Sequence, residues 1–87
     1  MSRTTLRKYQ IGIYFDHPIG DTTKPVQVLG ETTHYLSFTQ SFKTIKSAFK
    51  YAMSTAKIYA NIAKPKKIVI TYKTTSGVKI QSWHIEE

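Results

Sequence analysis

Residues 41–64 read SFKTIKSAFKYAMSTAKIYANIAK, and Pro65 follows. Ser41 suits an N-cap, no Gly or Pro interrupts the run, and Pro65 stops it, so the segment predicts one long helix over about 41–63. At about 100° per residue, Phe42, Ile45, Phe49, Ala52, Met53, Ala56, Ala60 and Ala63 share one stripe. Tyr51, Ile58, Tyr59 and Ile62 widen that arc on one flank. Alanine at four stripe positions lets a helix sit close to a flat surface, so the helix needs a sheet beneath it. The opposite arc holds Lys43, Lys46, Lys50, Lys57 and Lys64 among Ser47, Ser54 and Asn61, and it contains no acid.

The rest of the chain supplies that sheet. Lys8–Phe15 alternates, with Tyr9, Ile11, Ile13 and Phe15 on one side and Lys8, Gln10 and Tyr14 on the other, the period of a half-buried strand. The turn formers of Asp16–Asp21 end it. Val26–Leu29, opened by Pro25, reads as a short edge strand, and His34–Thr39 alternates again around Leu36 and Phe38. A hairpin over about 66–85 closes the chain, pairing Lys66–Lys73 with Val78–Ile85 around Thr74-Thr75-Ser76-Gly77. A three-residue loop with left-handed Gly77 pairs Thr74 with Val78, Tyr72 with Ile80 and Ile70 with Ser82. It gathers Ile68, Ile70, Tyr72, Val78 and Ile80 on one face, whereas a Ser76-Gly77 loop splits them. The expected fold is α+β: a small antiparallel sheet of 4–5 strands packed on one face by a single long helix, in the order βββαββ. Residues 7–87 form one domain in this reading, and 1–6 a flexible basic arm carrying Arg3, with Arg7 just beyond.

Composition narrows the function. The 87 residues carry 13 Lys and Arg against 5 Asp and Glu, a formal net charge of +8. So short a chain has little room for a core and a substrate pocket together, which favours a binding module over an enzyme. Cysteine is absent, removing disulfides, thiolate metal sites and a cysteine nucleophile. His17, His34 and His84 lack metal-ligand spacing, the four glycines make no phosphate loop, and no catalytic residue, metal or cofactor is expected. His84 near Lys67 is the one pair that resembles a small ribonuclease's base and phosphate anchor. No apolar run is long enough to span a membrane and the polar start is no signal peptide, so a soluble cytoplasmic protein without membrane contact is expected. Richness in Lys, Thr, Ile and Tyr would suit a compact phage or mobile-element protein.

One helix covers one face, which leaves the other open. In the expected register that face carries Lys8, Tyr14, Tyr35, Lys67, Thr71, Lys73, Lys79, Gln81 and Trp83, with Lys73 opposite Lys79. Lysines screen phosphates, rings stack on bases and Gln reads a base edge, so these nine are the expected contacts of a DNA- or RNA-binding sheet. The helix lysines Lys43, Lys46, Lys50, Lys57 and Lys64 form a secondary basic stripe. Trp83 has two other fates, beneath the 16–34 loop or in a homodimer contact. A second reading gives the same surface to protein recognition, as a small inhibitor docking an acidic or nucleic-acid-binding surface, with Val26–Leu29 free to extend a partner's sheet.

Overall fold

The computed structural model describes residues 6–21, 23–28 and 30–85. Of the expected arm, residues 1–5 with Arg3 lie outside the described residues. The strands are β1 (Arg7–Phe15), β2 (Lys24–Val28), β3 (Glu31–Phe42), β4 (Pro65–Thr74) and β5 (Gly77–His84), with helix α1 (Ile45–Ile58) between β3 and β4. They form one antiparallel sheet in the spatial order β2-β3-β1-β4-β5. The expected α+β fold and its βββαββ order are therefore present. Among the described residues, no helix is long and apolar enough to cross a membrane.

β1 alternates most cleanly because it lies in the middle, paired with β3 on one side and β4 on the other. Tyr9, Ile11, Ile13 and Phe15 are buried under α1, joined by Ile68 and Ile70 of β4. The helix meets them with Ala48, Ala52 and Ala56, one small residue per turn, all fully buried. Close approach of helix to sheet depends on those methyl groups. Ala52→Leu is expected to force the helix outward at a cost of about 1–3 kcal/mol, read as a shifted urea midpoint with an unchanged slope.

The helix is shorter than the sequence reading. Ser41 and Phe42 belong to β3, opposite Lys8 and Arg7, and Phe42 packs against Tyr9 and Tyr51 with ring centroids 6.2 and 5.4 Å away. The cap passes to Thr44, whose Oγ1 accepts from the Ser47 N–H at 3.2 Å. At the other end the chain leaves α1 in turns, where the Ile62 and Ala63 amides both donate to the Tyr59 carbonyl at 2.9 Å. Ala63 is buried there as expected, but Ala60 is exposed and Ala48 takes its place in the stripe.

The hairpin register also differs. Thr74 pairs with Gly77, leaving a two-residue Thr75-Ser76 loop. Thr74 Oγ1 accepts from the Ser76 N–H at 3.2 Å and donates to the Gly77 carbonyl at 3.0 Å, while Gly77 takes φ 127°. Every β5 side chain consequently changes face relative to the expected pairing. Trp83 sits across from Ile68 on the helix side, its ring 4.6 Å from Phe49, and Ile85 is half-buried beside the core. Val78 and Ile80 turn outward, 57% and 66% exposed. The exchange is favourable because at an outer strand the helix covers little, and an indole buries more apolar area than either aliphatic chain.

Candidate nucleic-acid interface

The face away from α1 is built by the odd positions of β3, the even positions of β1 and β5 and the complementary set of β4. One row crosses all five strands. Lys24 of β2 lies opposite Tyr35, Tyr35 opposite Tyr14, Tyr14 opposite Lys67, and Lys67 opposite His84. The two tyrosine rings touch in a tilted pair, centroids 4.8 Å apart. Burial, with the neighbouring Tyr35 phenol as a smaller contribution, raises the Tyr14 pKa above the ordinary tyrosine value, so its hydroxyl stays protonated.

Beneath this row the face is low. Gly12, Ser37, Val69 and Ser82 follow in register, then Gln10, Thr39, Thr71 and Ile80. The Tyr35 ring lies across Gly12, where a Cβ would overlap its Cε1 and Oη. Gly12 is thus the notch that lets the ring lie flat. At the far end Lys8 stands opposite Ser41 and Lys73 opposite Val78. Lys8 and Tyr14 are about 20 Å apart along β1 at roughly 3.4 Å per residue. Two basic ends therefore flank a neutral floor carrying hydroxyls. Among the described residues no carboxylate lies within ion-pair distance of Lys8, Lys24, Lys67 or Lys73.

A cleft opens where β1 stops. Phe15 is its last paired residue, and β3 continues past it to Glu31 with only β2 beside it. The resulting cavity, about 580 Å³, has Glu31, Thr32 and Thr33 on one wall and Lys66, Lys67 and His84 on the other. Tyr14 and Asp16 lie between them. The Asp16 carboxylate is already engaged, 2.9 Å from His17 Nδ1 and accepting the Lys64 amide at 2.8 Å. The hydrogen bond with His17 lowers its pKa most, burial opposes it, and the Lys64 amide and the nearby Lys66 charge add smaller downward pulls, so the pKa lies below the ordinary aspartate value.

Of the nine expected contacts, Lys8, Tyr14, Tyr35, Lys67, Thr71 and Lys73 share the open face. Lys79, Gln81 and Trp83 do not, since the register carries all three to the helix side. Lys79 stands opposite Tyr72 rather than Lys73, Gln81 Nε2 approaches the Tyr72 hydroxyl at 3.4 Å, and α1, not the 16–34 loop, covers Trp83. Lys24, His84 and Gly12 are additions; Lys24 lies just before the strand read from the sequence, and His84 depends on the register. The helix stripe is interrupted as well. Lys46, Lys50 and Lys57 are exposed on α1, whereas Lys43 and Lys64 lie outside the helix. Lys43 instead borders a second cavity of about 250 Å³ with Arg7, whose guanidinium lies 5.5 Å from the Tyr72 ring centre.

Among the described residues no three His, Asp or Glu side chains converge as a metal site. Comparison with protein-family models, curated proteins and solved structures finds no match for this chain.

Proposed function

We propose that the open face binds single-stranded nucleic acid, without catalysing a reaction on it. The observation that carries this reading is the row Lys24–Tyr35–Tyr14–Lys67–His84, two touching rings between cations on the face turned away from α1. Unpaired bases expose their π-faces to such rings, and lysines at both ends meet the phosphates on either side. A duplex keeps its bases stacked inside and offers the rings nothing, so a single strand is the better ligand.

Fluorescence anisotropy with labelled single- and double-stranded DNA and RNA, across a salt series, tests it. With about four phosphates neutralised, log K is expected to fall against log salt with a slope near −3 for single strands. Lys67→Gln and Lys73→Gln each lower the slope by about 0.7, while Lys79→Gln on the other face leaves it unchanged. Absence of binding at low salt, despite a net charge of +8, sinks the proposal.

Protein recognition is a second reading, favoured by one feature. β5 is an outer strand with Val78 and Ile80 exposed on the open face and Lys79 on the other, an edge to which an acidic extended segment can add as a further strand. If Val78→Lys and Ile80→Lys abolish binding to such a partner while oligonucleotides are ignored, this reading replaces the first.

A further inference from the structure

The cleft beyond Tyr14 has walls of opposite character, and that asymmetry specifies a ligand. Lys66, Lys67 and His84 on one side suit a phosphate. The other wall, Glu31, Thr32 and Thr33, offers acceptors. Thr33 Oγ1 spends its hydrogen on the Val26 carbonyl at 3.0 Å, and Asp16, between the walls, takes His17 and the Lys64 amide on Oδ1. Glu31 is exposed, and its carboxylate makes no ion pair or hydrogen bond among the described residues. Among the described residues the cleft has two carboxylates, Asp16 and Glu31, and only Asp16 is engaged by neighbouring groups.

The geometry points to a nucleotide pocket that selects bases bearing an amino group: a phosphate on Lys66 and Lys67, the base beside Tyr14, and its amino edge donating to Glu31. The inference rests on the open face binding single strands and adds the base preference. A volume of about 580 Å³ is in the range of small-ligand sites. A carboxylate accepts from the exocyclic amino group of cytosine, and adenine carries an amino group at the corresponding edge. Thymine and uracil place a carbonyl oxygen there, which the Glu31 carboxylate repels. Elsewhere on the face stacking and phosphate contacts are indifferent to the base, so selectivity concentrates in this one cleft.

The test compares oligo-dC, oligo-dA and oligo-dT of equal length at one salt concentration, with wild-type protein and Glu31→Ala. Wild-type protein is expected to bind oligo-dC and oligo-dA about tenfold more tightly than oligo-dT. Glu31→Ala brings that ratio close to one while oligo-dT binding holds or strengthens, because the lost negative charge only helps phosphate contact. The ratio, not the affinity, is the readout, which separates base selection from general electrostatics. Equal wild-type affinities, or a preference that survives Glu31→Ala, overturn the pocket while leaving the single-strand proposal intact. Failure of all three oligonucleotides to bind overturns both.

Discussion

Replacing Trp83 with alanine is expected to lower the unfolding free energy by about 3 kcal/mol and to leave oligonucleotide affinity unchanged within about twofold. The indole is half-buried on the helix side, 4.6 Å from Phe49 and across from the fully buried Ile68. Its removal leaves a hole at the outer edge of the core, beneath the Phe49 ring of α1. The loss is large for an 87-residue chain, whose total stability is on the order of 4–13 kcal/mol. It corresponds to a melting temperature lower by roughly 12–24 °C. Circular dichroism is the suitable probe, because Trp83 is the sole tryptophan and its fluorescence disappears with it. Binding is then measured at a temperature where the variant remains folded. The opposite pattern, weaker binding with unchanged stability, would place the indole on the open face and refute the hairpin register described above.

That register marks the boundary of what the sequence made legible. The period-two pattern of Lys8–Phe15 needed no partner to be read, since a strand buried between two neighbours must send every second residue into the core. Lys8, Tyr14, Tyr35, Lys67, Thr71 and Lys73 followed, each sitting in a strand whose own alternation sets its face. The β5 strand has no such internal signal. Val78 and Ile80 share one parity and Trp83 and Ile85 the other, so both faces look apolar. The choice is made by Phe49, some distance away on α1, and a slip of one residue carries Lys79, Gln81 and Trp83 together to the wrong face. The helix start failed for a similar reason. Ser41 and Thr44 are comparable caps locally, and the decision falls to Phe42, whose ring contacts with Tyr9 and Tyr51 keep it in β3.

Gly12 is the position whose meaning appears only in three dimensions, as the space into which the Tyr35 ring fits. Tyr35→Ala is expected to weaken single-strand binding by about 1–3 kcal/mol, the cost of removing one stacking ring. Gly12→Ala should do nearly the same without touching the tyrosine, because the new Cβ occupies the space of the Tyr35 ring edge and drives the ring off the sheet. Gly12 does not have a positive φ, so alanine fits the strand backbone, and its better strand propensity offsets part of the lost Tyr14–Tyr35 contact. The stability of Gly12→Ala is therefore expected to stay within about 1 kcal/mol of the parent while binding falls. Both substitutions act through one ring, so their effects cannot add. The double variant should bind no more weakly than Tyr35→Ala alone, giving a coupling energy close to the smaller single effect. Additive losses would mean that Gly12 admits the ligand directly and Tyr35 acts elsewhere. Unchanged affinity in both single variants would remove the tyrosine row from the site altogether.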